Sequence, residues 1–302
     1  MTASLRIHDH EVVISGRLLK EVRLKEEWYE DLERPEELIS ALAERRHEAD
    51  ILTFWQRLPD VAPHHPYYKE WEEIAVLPVT TYDHWWSNQI KSRLRGVIRK
   101  SAKQGVTVQE VEFTDDFVRG ITRIFNEAPM RQGRPFCHYG KNFDVVKSEF
   151  SRFLSRELLI GAYCEGELIG FMMIAKAGNY ALTGQIISLI SQRDKGTNNC
   201  LMAKAVEICA REKIPYLVYL HWGRGSLSEF KRRNGFEKTR LPRYYVPLTA
   251  RGRLALRLGL HNGLVPKIPQ TMLAQLKRLR TMWYRRFYAL RDRRVLADEG
   301  EF

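Results

Sequence analysis

The sequence predicts an α/β (α+β) protein, a mixed twisted sheet flanked by helices. Three observations carry this. Residues 181–236 read as strand, polar loop, helix, strand, helix. Just before them, residues 158–164 (LLIGAYC) and 168–175 (LIGFMMIA) are apolar runs around the turn Glu165-Gly166-Glu167, a hairpin pattern. Of the 302 residues, 44% are hydrophobic, enough to bury a core and to exclude wholesale disorder.

Taken in order, residues 5–30 alternate in places, with Val12, Ile14, Leu18, Val22, Leu24 and Trp28 apolar, and suggest a hairpin or pair of strands. Pro35 opens a helix, PEELISALAERRHEA. Glu36 and Glu37 sit in its first turn, where the helix dipole favours negative charge. Residues 51–58 read as a strand. Residues 59–70 are a proline-punctuated linker. His64 and His65 lie in it with no further spaced ligands nearby, which reads as a solvent-facing loop rather than a metal site. A short strand follows at 73–80.

Residues 83–105 predict one helix that stops at Gly105. Trp86, Ile90, Leu94, Val97 and Ile98 form its apolar stripe; Lys91, Arg93, Arg95, Arg99, Lys100 and Lys103 crowd the other faces. Two readings fit those cations, a solvated face and an anion-facing one. A strand at 106–112 and a helix at 115–128 follow.

Residues 126–143, NEAPMRQGRPFCHYGKNF, have no periodicity. They combine two prolines, two glycines and three aromatics with Arg131, Arg134, His138 and Lys141. Such a loop suits substrate recognition. Arg131, Arg134 and Lys141 could hold phosphate or carboxylate, His138 could act as a base and Tyr139 as a proton relay. The alternative is a long packed loop with His138 as a structural donor. A helix at 147–155 leads to the hairpin.

The organising stretch begins with a strand at 181–190 and a loop at 191–198, SQRDKGTN. A helix at 199–212 has Leu201, Ala205, Ile208 and Cys209 at helical spacing. A strand at 216–221, a helix within 226–236 and a closing strand at 241–248 complete the order. Residues 251–302 read as amphipathic helices, with Leu273, Leu276, Leu279, Trp283 and Phe287 on one stripe among arginines. That pattern fits a helix packed on the domain, or a surface that meets anionic membrane or tRNA.

Formal net charge is +12, which favours polyanionic partners such as RNA, anionic membrane or a phosphorylated substrate. Residues 251–302 hold twelve Lys/Arg against four acids, so two thirds of the surplus lies at the C-terminus. The four cysteines show neither metal spacing nor a CxxC pair and read as reduced thiols. The first residues lack an apolar signal core, and no run reaches the ~20 apolar residues that span a bilayer. The expectation is a cytoplasmic protein, with peripheral contact to the inner face of the membrane through 251–302 as one reading.

A strand that ends in a basic, glycine-containing loop at a helix N-terminus is an anion site in outline, since the first helical N–H groups lack internal partners. Here that loop is Arg193-Asp194-Lys195-Gly196-Thr197-Asn198. The order of elements around it resembles the acyl-CoA-binding core of the GNAT acyltransferase superfamily, whose loop reads Q/R-x-x-G-x-G/A. Arg193 and Gly196 match; Asn198 replaces the last Gly or Ala. The run Glu229-Phe230-Lys231-Arg232-Arg233-Asn234-Gly235-Phe236 is similar to the family's C-terminal helix and closing Gly-Phe. Many members carry a proton-donating Tyr there; this chain has Phe230, which cannot donate. Phe230-Lys231 resembles instead the Fem-type transferases, which share the fold and use aminoacyl-tRNA. The resemblance covers about 83–250. Fem-type proteins have two GNAT-like units, which implies that 1–82 is a shortened, degenerate first unit and 251–302 a basic helical extension.

The resemblance implies an N-acyltransferase that moves an acyl group from acetyl-CoA or another acyl-CoA to an amine of an anionic small molecule or cell-envelope precursor, without a metal. Backbone groups of the strand through Ile190 would hold the pantetheine arm, and Arg193, Lys195, Gly196, Thr197 and Asn198 the diphosphate. Phe230 lies at the same site. His221, at the end of strand 216–221, is the first candidate for the base that frees the amine, with His138 second. Lys231 would stabilise the oxyanion or hold a donor phosphate, and Tyr219 would help to bind substrate. The alternatives are a Fem-type transferase with a tRNA-borne donor, and a non-catalytic RNA- or membrane-binding protein on the same scaffold.

Overall fold

A computed structural model describes residues 3–30, 32–45, 48–151 and 154–262, with 275, 278–280 and 282–284. The chain divides into two units, residues 1–112 with 153–261, and residues 113–152 with 262–302.

In the first unit, β1 (Ala3–Ile7), β2 (His10–Ser15) and β3 (Glu21–Leu24) precede α1 (Pro35–Glu44), β4 (Ile51–Trp55) and β5 (Tyr68–Pro78). Then come α2 (Tyr82–His84), α3 (Ser92–Lys103) and β6 (Thr107–Val111). In the second unit lie α4 (Asp115–Asn126), the two-residue strands β7 (Met130–Arg131) and β8 (Arg134–Pro135), and α5 (Phe143–Phe150). The first unit resumes with β9 (Glu157–Cys164), β10 (Glu167–Ala177) and β11 (Tyr180–Ser188). It ends with α6 (Thr197–Arg211), β12 (Tyr216–His221), α7 (Ser226–Arg233), β13 (Glu237–Pro247) and α8 (Ala250–Arg257).

Eleven strands make one sheet in the order β1-β2-β3-β4-β13-β5-β12-β11-β10-β9-β6. It is mixed: β3/β4 and β11/β12 are parallel pairs and the other neighbours are antiparallel. On one face α6 buries Leu201, Ala205, Ile208 and Cys209 against Ile160, Met172 and Leu217, with Leu94 of α3 and Trp85 in the same cluster. On the other face Trp55, Ile74, Tyr180, Val218 and Leu241 form a separate cluster. The strands of 1–82 and of 83–250 thus share a sheet, with β5 between β13 and β12.

Three expectations need correction. Residues 83–105 are not one helix. After α2 comes a π-helical turn, Trp85–Gln89, and then extended backbone at Ile90 (φ −111°, ψ 150°) before α3 starts. The break lets both Trp85 (0% exposed) and Ile90 (4%) reach the core. Arg95 Nη1 caps it, donating to the carbonyls of Trp86 (2.9 Å) and Ile90 (2.7 Å), which the interrupted ladder leaves without partners. Second, β5 and β13 each begin several residues before the predicted strands. They pair with each other from Tyr68↔Tyr245 to Val76↔Glu237, and that mutual pairing extends both. Residues 5–30 hold three strands where a hairpin or pair is expected. In the C-terminal stripe, Leu279 and Trp283 are exposed, whereas Leu273, Leu276 and Phe287 lie outside the described residues.

Candidate functional site

The site begins where two parallel strands part. β11 and β12 pair only at Tyr180↔Tyr216, Ala181↔Leu217 and Leu182↔Val218. Beyond that β11 runs to Ser188 alongside β10, while β12 bends away at a bulge between Val218 and His221. Leu220 takes φ +43° at the bulge, a left-handed conformation uncommon for a branched side chain. A gap therefore opens in the sheet between residues 183–188 and 219–221.

Lys231 of α7 closes the β12 side of this gap. It is 1% exposed. Its Nζ donates to the carbonyl of Tyr219 (2.7 Å) and to that of His221, and lies 4.4 Å from the centroid of the Tyr219 ring. Burial pushes its pKa down to about 8. Phe230, beside it, meets the Tyr219 ring edge-on at 6.4 Å.

His221 sits at the end of β12. Its Nδ1 is 3.4 Å from Glu72 Oε2, and its ring lies edge-on to Trp55 (5.5 Å) and Trp28 (5.9 Å). Burial, then the positive charges of Arg243 and Lys231, lower its pKa. Glu72 is itself raised by burial, against the pull of Arg243. Arg243 Nη2 pairs with Glu27 Oε2 at 2.9 Å and its Nε donates to Thr53 Oγ1 at 2.8 Å. No hydrogen bond joins the pair, since Glu72 Oε2 is buried without a hydrogen-bond partner among the described residues; the two tryptophan rings flank the imidazole instead.

The loop after β11 is tightly wound. Arg193–Lys195 make a 3₁₀ turn and Gly196 follows at φ +63°. The N–H groups of Arg193, Lys195 and Gly196 donate to the carbonyls of Ile190 (3.3 Å), Gln192 (3.2 Å) and Arg193 (3.2 Å). Ser101 Oγ of α3 donates to the Lys195 carbonyl, and Lys195 Nζ donates to Cys164 Sγ at 3.0 Å. A Cβ at Gly196 would stand 2.5 Å from Val97 Cγ1. Three of the amides expected to hold a diphosphate are thus engaged within the turn.

At the start of α6 Thr197 is 2% exposed, over Gly170, where a Cβ would come 2.7 Å from Thr197 Cγ2. Thr183 Oγ1, Thr197 Oγ1, Asn198 Oδ1 and Asn234 Oδ1 are buried without a hydrogen-bond partner among the described residues. Asn234 Nδ2 reaches Asn199 Oδ1 (3.2 Å) and the Phe230 carbonyl (2.8 Å). Trp85 Nε1 donates to the Asn234 carbonyl at 2.9 Å, which ties α7 to the π-helical turn. These orphaned polar atoms can bind a ligand's complementary groups.

The structure thus gathers Ile190, Arg193, Lys195, Gly196, Thr197, Asn198, Tyr219, His221, Phe230 and Lys231 in the first unit. Arg131, Arg134, His138, Tyr139 and Lys141 belong to the second. There His138 stacks on Phe125 (4.4 Å, 19° between planes) and Lys141 Nζ stands 3.1 Å from His138 Nδ1 and 2.5 Å from Glu149 Oε2. Burial, with Lys141, lowers the His138 pKa. Arg131 lies over the Phe136 ring at 4.7 Å and donates to the Ile124 carbonyl at 2.7 Å. Tyr139 and Arg134 are exposed.

Sequence reasoning passed over Glu72, Asn199, Asn234, Trp28 and Trp55. A polar residue such as Asn234 closing a helix is one signal that was present; Glu72 carries none, since its partner is 149 residues away. Among the described residues no three His, Cys, Asp or Glu side chains form a metal-holding group, and no helix is long and apolar enough to cross a membrane.

No family model matches the chain, and no curated protein does. Solved structures do. The C-terminal domain of a putative lysylphosphatidylglycerol synthetase from Agrobacterium fabrum is 12% identical, with a TM-score of 0.57 over 85% of this chain and 87% of that one. L-PGS from Bacillus licheniformis is 14% identical, with a TM-score of 0.56 over 88% and 90%. FemX is 9% identical, with a TM-score of 0.55 over 84% and 90%. At such identities the likeness is one of fold. The chain has a GNAT-like fold, a large mixed twisted sheet flanked by helices, close to that of the Fem-type transferases.

Proposed function

We propose that the chain transfers an activated acyl group to an amine, with the donor carbonyl in the gap between β11 and β12. The observation that carries this is the parting of the two strands after Leu182 and Val218, with the Lys231 ammonium buried at the edge of the gap. Two of the three N–H donors of Lys231 go to the carbonyls of Tyr219 and His221. The third meets the oxyanion that forms as the amine attacks. His221, its ring edge-on to Trp55 and Trp28, takes the proton that the acceptor ammonium must lose before it is a nucleophile; as the oxyanion collapses the donor's ester or thioester bond breaks and a proton passes to the departing hydroxyl or thiol. Its lowered pKa keeps it neutral, and so able to accept, near pH 7.

Between donors, we favour an aminoacyl group carried on tRNA. The amides of Arg193, Lys195 and Gly196 are spent inside their own turn, which weakens a diphosphate cradle there. Phe230-Lys231 stands where the Fem-type resemblance puts it, and FemX and two lysylphosphatidylglycerol synthetase structures share the fold. Acyl-CoA is the second reading, favoured by the orphaned Thr197 hydroxyl at the start of α6, which can donate to a phosphate oxygen. The acceptor panel then includes amine-bearing cell-envelope precursors and, from the neighbours' names, phosphatidylglycerol. The test is a mass-spectrometric transfer assay with charged tRNAs and acyl-CoAs, with and without ribonuclease. Ribonuclease-sensitive transfer is expected. Ribonuclease-resistant transfer from acetyl-CoA selects the second reading, and no transfer from either donor ends the proposal.

A further inference from the structure

The exposed face of α3 carries charge that, among the described residues, no ion pair neutralises, although Arg99 lies over the Trp86 ring at 5.5 Å. Residues 91–104 contain six cations, Lys91, Arg93, Arg95, Arg99, Lys100 and Lys103, and no acid. Arg95 is occupied with the carbonyls at the helix break. The other five are exposed, and among the described residues none of them forms an ion pair. Two other helices of this unit neutralise exposed cations locally: Arg232 and Arg233 of α7 pair with Glu229, and Lys204 of α6 with Glu207.

Only part of this charge serves the helix: Lys100 and Lys103 lie in the last turn, where the dipole favours cations, but the rest does not. Lys91 and Arg93 stand at the N-terminal end, where the dipole disfavours positive charge, and no side chain caps that end. Lys91/Arg95, Arg95/Arg99 and Arg99/Lys103 are like-charge pairs four residues apart, each unfavourable by a few tenths of a kcal/mol. Arg93, Gly96, Lys100 and Lys103 recur at helical spacing and make one solvent-facing stripe. At Gly96 a side chain would touch nothing within 4 Å, so the middle of the stripe is open to a large partner.

We infer that this stripe is the docking surface for the phosphodiester backbone of an RNA, the carrier of the donor; the inference rests on the tRNA reading above. Charge complementarity selects a polyanion. A lipid surface is the poorer fit, because a helix that lies in a membrane interface presents large apolar side chains to it. Here Leu94 and Ile98 face the core and Val97 packs on Gly196, and no large apolar side chain between residues 72 and 138 is exposed. The stripe also abuts the site. Ser101 holds the Lys195 carbonyl and Val97 seats Gly196, so an RNA backbone on α3 runs beside the corner that leads into the gap.

The test is fluorescence anisotropy of the full chain with labelled, deacylated total tRNA over a range of salt concentrations, for wild type, Arg93→Glu/Lys100→Glu and Arg93→Gln/Lys100→Gln. The reversal should weaken binding about tenfold or more near 0.1 M salt, and the neutral pair should weaken it less. Both should make the slope of log K against log salt shallower by about 1.4, two lost phosphate contacts at about 0.7 each. Equal tRNA affinity in all three proteins overturns the surface, while wild-type binding with ribonuclease-sensitive transfer leaves the donor reading intact. No tRNA binding by wild type overturns both. Unchanged tRNA binding with lost sedimentation on phosphatidylglycerol/phosphatidylcholine vesicles overturns it in favour of a lipid surface.

Discussion

Lys231 Nζ lies 2.7 Å from the Tyr219 carbonyl oxygen and 4.4 Å from the centroid of the same residue's ring. One ammonium thus fixes both the backbone and the side chain of the residue at which β12 leaves its partner. The bulge that opens the gap and the buried cation beside it depend on each other.

Replacing Lys231 therefore has two separable effects. Lys231→Met should lower transfer by about 10²-fold or more, the usual loss when one oxyanion donor is removed. It should also change how stability depends on pH. Lys231 has a pKa of about 8 when folded, against about 10.4 unfolded. Between these values the folded state binds fewer protons, so wild-type stability rises with pH relative to Lys231→Met. The full span corresponds to something on the order of 3 kcal/mol. Urea unfolding of both proteins at pH 7, 8, 9 and 10 checks it; a constant difference would refute a depressed lysine.

His221 predicts the acid limb of the rate. Burial, Arg243 and Lys231 all lower its pKa. As the base it stays deprotonated to lower pH than a free histidine, so kcat/KM should fall only below about pH 6.5. His221→Gln should cost about 10²- to 10⁴-fold and remove that limb. A limb that survives the substitution assigns the base elsewhere, with His138 next to be tried.

Gly196 predicts a stability loss at the corner. Its φ of +63° costs an L-residue about 1–2 kcal/mol. The added methyl must also displace Val97, whose Cγ1 would be 2.5 Å away. Gly196→Ala should lower the melting temperature by several degrees and weaken donor binding, while Gly178→Ala, also at positive φ but with nothing within 4 Å, should cost only the backbone share. Equal losses in the two would mean that α3 does not brace the loop.

What the sequence reveals of this site is what local pattern can encode. YLVYLH is a strand over the predicted residues 216–221, and α6 starts within two residues of expectation. The GNAT-like order of strands is legible for the same reason, since each strand is a short apolar run between turn residues. The break at Ile90 is not, because it is set by two core pockets and by an arginine that returns to cap it. Lys231 is readable only through a resemblance, but its burial depends on carbonyls ten and twelve residues earlier, exposed only by a bulge that no local rule predicts. The loop 193–198 shows the opposite failure: its residue types suit a phosphate, yet three of its six amides are taken up by carbonyls of residues 190–193.

Asp50 predicts where acid first loosens the N-terminal strands. It is 2% exposed and joins three segments. It accepts from the Lys20 N–H (2.8 Å), from Thr249 Oγ1 (2.8 Å) and from Arg251 Nε (3.0 Å) and Nη2 (2.9 Å). Burial alone would raise its pKa; the Arg251, Lys20 and Thr249 hydrogen bonds outweigh it and hold the carboxyl below its usual value. Gly252 is the geometric partner of this knot, since a Cβ there would stand 2.0 Å from the Asp50 carbonyl oxygen. Asp50→Ala leaves a buried N–H and an arginine without their acceptor and should cost about 2–4 kcal/mol near neutral pH. Because the folded pKa is depressed, that contribution is complete above about pH 4, the unfolded value, and is lost as pH falls through the folded one. Urea titrations of wild type and Asp50→Ala should therefore converge below pH 4; curves that stay parallel down to pH 3 would show that the carboxylate charge does not hold the three segments.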